Sequence, residues 1–108
     1  MSIEAPKVVE ILNTIGATTT GGIFTPQGWP LKFMASIAGT GAVTSTVLVE
    51  VTNTPSVAAS WVRGVTFTLS GTTTDVAQYV TPANWAACRA KTTAISGAGA
   101  TVIVTMGY

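Results

Sequence analysis

The chain has no histidine and a single cysteine, Cys88, among its 108 residues. Without histidine, a Ser–His–Asp triad and a His-ligated metal site are excluded. One thiol can form neither an intrachain disulfide nor a thiolate metal cluster. Because no histidine is available to activate the Cys88 thiol as a nucleophile, we expect this side chain to be a small buried hydrophobe.

Carboxylates offer little more chemistry, because the chain has only four of them. A pair of carboxylates such as Glu50 with Asp75 could flank a glycosidic bond, but nothing in the neighbouring sequence indicates a cleft around them. We therefore predict no catalytic residue, no metal and no cofactor. The chain is expected not to be an enzyme.

Charge of either sign is scarce. Charged residues make up 8% of the chain, with five Lys and Arg against four Asp and Glu, whereas an average soluble domain has about 25%. Five scattered cations cannot neutralise a row of phosphates, so nucleic acid is not an expected partner. A net charge of +1 favours association with neighbouring proteins, and interface cores are depleted in charge.

Long apolar runs are also missing, so no membrane partner is expected. The N-terminal residues 1–15 contain Glu4 and Glu10 and no continuous apolar core of a signal peptide. This pattern predicts a protein that is made in the cytoplasm.

Threonine and valine, by contrast, are abundant, with twenty and thirteen residues respectively. Both are β-branched and favour strands. Apolar and polar residues alternate clearly over 43–51, 65–70 and 101–106, and more weakly over 32–37, 76–81 and 86–95. Gly- and Pro-containing turns separate these segments. The pattern predicts an all-β fold, an antiparallel β-sandwich of jelly-roll or Ig-like type.

The N-terminal part is harder to interpret. Residues 5–13 could form a short helix with Val8, Val9, Ile11 and Leu12 on one face, but a strand or an extended arm is about equally compatible. We therefore divide the chain into an N-terminal arm, residues 1–30, which could be part of the sandwich, and a β-sandwich domain, residues 31–108.

One internal similarity stands out. Residues 35–42 and 93–100 both carry an apolar stretch that ends in isoleucine and then a Gly-x-Gly-Ala turn before a Val/Thr strand. Two glycines permit a tight reversal. The similarity predicts two related antiparallel hairpins, although chance is an alternative at this length.

Four residues are candidates for a partner interface: Phe24, Trp29, Arg89 and Lys91. Phe24 begins, and Trp29 lies within, a Pro- and Gly-containing loop over 24–30, where a large aromatic side chain has no obvious core to enter. Arg89 and Lys91 lie two positions apart and therefore share a strand face, which either is solvated or contacts a partner. Trp61 and Trp85 are expected in the core.

The C-terminal two thirds of the chain resemble a recurrent pattern in small virion proteins of tailed bacteriophages. The matching pieces are Trp61-Val62, residues 66–73 (TFTLSGTT), Trp85 followed by Arg89-Ala90, and residues 93–102 (TAISGAGATV), with the earlier Gly-Thr-Gly-Ala of residues 39–42. These motifs are structural and not catalytic. The resemblance implies a β-sandwich that decorates a capsid or belongs to a tail or fibre.

We therefore expect a non-enzymatic capsid decoration (cement) protein, located on the virion surface. The resemblance implies that it is a homo-oligomer, a trimer, that docks on the major capsid protein and bridges capsomers. The alternative is a tail or fibre module that binds a receptor or carbohydrate through exposed aromatic rings such as Trp29, Tyr79 and Tyr108.

Overall fold

The structure, a computed structural model, describes residues 8–26, 31–81 and 85–107. Apart from one 3₁₀ turn, Ala58–Ser60, its regular elements are strands. All six strands expected from the alternation are present. The strands are β1 (Val8–Ile15), β2 (Leu31–Ala38), β3 (Val43–Thr52), β4 (Val62–Gly71), β5 (Thr74–Thr81), β6 (Ala87–Ser96) and β7 (Thr101–Gly107). Among the described residues, no helix has the length and hydropathy needed to cross a membrane.

The strands form two antiparallel sheets that pack face to face. One sheet has the order β1-β7-β2-β5 and the other the order β4-β3-β6. The predicted all-β antiparallel sandwich is therefore confirmed. The molecule is a flat body, with principal extents of 44 × 39 × 19 Å.

A short segment before β2 extends the second sheet. Thr20 and Phe24 form isolated antiparallel bridges with Lys91 and Cys88 of β6. The Phe24 and Cys88 backbones exchange two hydrogen bonds, each of 2.9 Å. Residues 20–24 therefore occupy the position of an eighth, irregular strand beside β6.

With this segment counted, strand pairing is nested along the chain. β1 pairs with β7, residues 20–24 with β6, β2 with β5, and β3 with β4. The two sheets join these pairs through the β2–β7 and β3–β6 ladders. A long hairpin folded over in this way is a jelly roll, one of the two sandwich types that the sequence predicted.

The core lies between the sheets and follows the predicted alternation. Every second residue of β3 is buried, as are Val102, Val104 and Met106 of β7. The largest fully buried side chain is Phe33 of β2. Each such side chain contributes about 1.5–3 kcal/mol through removal from water, so the Val-rich strands supply the main stabilisation.

Strand β1 decides between a helix, a strand and an extended arm for residues 8–13. These residues are a strand and not a helix, because they pair with β7. The register shifts between Glu10 and Leu12, so that Ile11 and Leu12 are both buried. A β-bulge turns consecutive side chains inward in this way, which explains an apolar spacing that also fits a helix. The division of the chain at residue 30 stays a prediction.

The two Gly-x-Gly-Ala segments are not hairpins, and that prediction is wrong. The first connects β2 to β3 and the second connects β6 to β7, so both cross from one sheet to the other. The crossings lie against each other: the Thr40 amide donates to the Ala98 carbonyl at 3.1 Å. The sequence similarity thus corresponds to two adjacent arches at one end of the sandwich.

Cys88 belongs to the core and is fully buried, as predicted. Its Sγ donates to Sδ of Met106 at 3.2 Å. Burial disfavours the thiolate and raises the pKa of Cys88 from 9.0 to about 11.

This pKa predicts a loss of stability in alkali. In the unfolded chain the thiol ionises near pH 9.0, whereas the folded protein holds the proton up to about pH 11. Above pH 9 ionisation therefore favours the unfolded chain, and the free energy of unfolding should fall by about 2–3 kcal/mol by pH 11. Urea unfolding of the native protein and Cys88→Ala at several pH values isolates this effect. Parallel pH profiles for the two proteins would contradict it.

Candidate partner-binding surfaces

Arg89 and Lys91 lie together on the outer face of β6, as their spacing predicted. Both approach Glu50 of β3: Nε of Arg89 lies 3.0 Å and Nζ of Lys91 lies 3.7 Å from Glu50 Oε1. The Glu50 side chain is only 13% exposed. One largely covered carboxylate is thus shared by two cations.

Trp61 contacts the Arg89 side chain with the face of its ring. The guanidinium carbon of Arg89 lies 4.3 Å from the centroid of the Trp61 ring, a cation–π contact. The expectation that Trp61 belongs to the core is wrong: the ring is half-buried and is not among the side chains that pack against the core. Trp61 directly precedes β4 on the sheet edge, where the outer-face guanidinium covers it. Trp85, in contrast, does pack against the core, as expected.

A third cation lies opposite Glu50 in the strand register, on β4. Arg63 of β4 is the cross-strand partner of Glu50, and Arg89 of β6 is its partner on the other side. Arg63 is exposed and makes no ion pair with the residues that the structure describes. We call Arg63, Arg89 and Lys91, with Glu50 and Trp61, the cation cluster. Its formal charge is +2, because it contains three cations and one carboxylate.

Hydroxyl groups cover the rest of this face. Beyond Glu50, the outward-facing residues of β3 are Leu48, Thr46 and Thr44. Most of their partners on β4 and β6 are threonine or serine. The hydroxyl residues among them are Thr44, Thr46, Thr66, Thr68, Ser70 and Ser96. Such a surface can donate and accept hydrogen bonds without a charge to desolvate.

The outer face of the four-stranded sheet has a different character. Its strands present mostly apolar and hydroxyl side chains, and Glu10 and Lys32 are its charged members. Five of the nine exposed large hydrophobic residues that the structure describes lie here. They are Val8, Ile15, Met34, Val76 and Val80. We call this surface the outer apolar face.

A shallow groove of about 340 Å³ crosses one end of the outer apolar face. Val8, Met34, Gly107, Lys32 and Thr105 line it, and the lining is mostly apolar. The groove is open to solvent and lies where β1, β7 and β2 run side by side. It can accept an apolar side chain of a neighbouring protein.

The remaining candidate residues lie elsewhere. Phe24 is half-buried, packs against the core and pairs with Cys88, so only part of its ring is open to a partner. Trp29 lies outside the described residues. The sequence did not predict that Glu50 and Trp61 belong to the cation cluster. The alternation places Glu50 on the outer face, but only the β3–β6 register sets it beside Arg89.

The carboxylates Glu50 and Asp75 are far apart. Asp75 accepts hydrogen bonds from the Ser70 and Val76 amides, each at 2.9 Å. Ser70 pairs with Thr44, which lies six residues, or about 20 Å, from Glu50 along β3. Paired carboxylates that hydrolyse glycosides lie about 5–9.5 Å apart. Within the described residues no three metal-binding side chains come together either.

Comparison with known proteins finds no family model, no curated protein and no solved structure that matches this chain. The two faces of the sandwich are therefore the features on which a function can be argued. One is apolar with few charges, and the other is hydroxyl-rich with a cation cluster at one end.

Proposed function

We propose that this chain is a non-enzymatic structural protein of a tailed-bacteriophage virion, most specifically a capsid decoration (cement) protein. In this proposal it assembles as a trimer, docks on the major capsid protein at the particle surface and bridges adjacent capsomers. The observation that carries the proposal is the outer apolar face, an uncovered sheet surface with five exposed large hydrophobic residues.

The size of this face suits an assembly contact. Four strands about 4.8 Å apart and about eight residues long span roughly 20 × 25 Å, or roughly 500 Å². A standard interface buries about 800 Å² on each partner. The outer apolar face therefore supplies more than half of one such contact.

The chemistry of the surface fits a role that depends on burial. Removing Val8, Val76 and Val80 from water is favourable, and few charges on this face have to be desolvated. Many copies on one shell would add their contacts through avidity. Jelly rolls also recur in viral capsid proteins, although a fold alone does not define a function.

Purified particles test this proposal. Quantitative gel or mass-spectrometric analysis of the virion should find hundreds of copies of this chain per particle, at a fixed ratio to the major capsid protein. A handful of copies would favour a tail or fibre component. Complete absence from purified particles would contradict a virion function.

The alternative of a carbohydrate-binding tail or fibre module draws support from Tyr79. This ring is 37% exposed on the edge strand β5, where it could stack on a sugar. Jelly rolls also occur in lectins. Binding on a glycan array that Tyr79→Ala abolishes would favour this alternative over cementing.

A further inference from the structure

The cation cluster holds a guanidinium in a fixed position at the surface. Trp61 supports one face of Arg89 at 4.3 Å, and Glu50 accepts from Nε at 3.0 Å. The two Nη nitrogens make no hydrogen bond to the described residues, and no buried side-chain nitrogen or oxygen there lacks a partner. The Nη nitrogens of Arg89 are therefore in contact with solvent. Fixing the side chain in advance lowers the entropy cost of binding a ligand.

The cluster also has charge that its own carboxylate does not balance. Glu50 neutralises one of the three cations, and Lys91 is already 3.7 Å from it. Arg63, opposite Glu50 on β4, is exposed. An incoming carboxylate would meet Arg89 and Arg63 across one strand, with threonine hydroxyls beside them.

We infer that the cation cluster is a docking site for a carboxylate-bearing surface of a neighbouring protein. The guanidinium of Arg89 provides planar donors that match a carboxylate. Charge complementarity selects an acidic partner. Nucleic acid is disfavoured as the partner, because three cations give only weak electrostatic binding to a phosphate backbone.

This inference rests on the proposed function for the identity of its partner, a neighbouring virion protein. It adds a second contact on the opposite side of the sandwich. The outer apolar face would bind by burial, and the cation cluster would set orientation by charge.

The isolated protein provides the first test. We would titrate ¹⁵N-labelled protein with an acetylated hexa-aspartate peptide in low salt and follow the Arg89 Nε–H resonance. A saturable shift that vanishes at high salt is expected. Arg63→Gln should weaken binding about two- to fivefold. Lys32→Gln, the same loss of charge on the other sheet, should leave it unchanged.

The fork geometry of Arg89 is tested by Arg89→Lys, which keeps the charge. We expect it to weaken peptide binding as much as Arg63→Gln or more, with a folded spectrum retained. No saturable shift of Arg89 with the wild type would overturn the inference. Equal weakening by Lys32→Gln, or stronger binding of inorganic phosphate or of a hexathymidylate than of the peptide, would also overturn it.

Particles provide the second test and separate this inference from the proposed function. If virions contain the chain, Arg63→Gln/Lys91→Gln should lower its occupancy relative to the wild type at moderate salt. Unchanged occupancy of the double variant would overturn the inference while the virion function stands. Absence of the wild-type chain from particles would contradict the function, and the peptide titration would still decide on the carboxylate site.

Discussion

Gly97→Ala is expected to destabilise the sandwich by about 3 kcal/mol. Gly97 has a φ of +120°, a region that L side chains rarely adopt, and such strain costs about 1–3 kcal/mol. A Cβ at this position would also lie 2.6 Å from the Ala42 carbonyl oxygen and 2.9 Å from Val43 Cγ1. Ala42 belongs to the other arch and Val43 begins the strand that follows it, so relief of the clash would separate the two crossings. Urea unfolding monitored by tryptophan fluorescence measures the loss.

Gly41→Ala is the matched control, since it makes the same change in the partner arch. A Cβ on Gly41 meets no atom within 4 Å, and Gly41 has no positive φ. Alanine there should change the free energy of unfolding by less than about 1 kcal/mol, in either direction. Similar losses for both variants would show that the arches do not constrain each other as described.

The strands could be predicted from the sequence because alternation and β-branching act locally. In residues 43–51 every second side chain is valine or serine, and these are the buried residues of β3. Turn residues fixed the ends of the strands in the same way. The pairing of β1 with β7 could not be predicted, since no local signal links residues that lie so far apart in the chain.

The Gly-x-Gly-Ala turns do not determine which sheet the following strand joins. A Gly-x-Gly-Ala segment reverses the chain whether the next strand joins the same sheet or the opposite one. The packing of the core decided for the opposite sheet, because Val43 and Val102 are buried between the sheets only after a crossing. The local pattern therefore predicted the chain reversal correctly but placed the next strand in the wrong sheet.

The cation cluster could also be predicted only in part. The two-residue spacing of Arg89 and Lys91 placed both on one face correctly. The contact of Trp61 with Arg89 could not be predicted, because a residue just before an edge strand can lie on either face of the sheet. Its partner Arg89 lies on β6, two strands away across the sheet.

Val76→Lys is expected to lower the occupancy of this chain on particles at least tenfold. Val76 is 60% exposed on the outer apolar face, on the edge strand β5. Lysine at an edge is tolerated by a free sheet and is a common means of preventing association. In an apolar contact its ammonium group must be desolvated, which costs several kcal/mol unless it is paired. Folding should be nearly unchanged, within about 1 kcal/mol.

The most direct measurement is the occupancy of Val76→Lys and Val57→Lys on purified particles, each compared with the wild type. Val57 is 51% exposed in the loop before the 3₁₀ turn and lies off the outer apolar face. Both substitutions exchange an exposed valine for the same cation. Normal occupancy of Val57→Lys with at least a tenfold loss for Val76→Lys is the predicted result. Full occupancy of Val76→Lys would show that neighbours do not cover the outer apolar face.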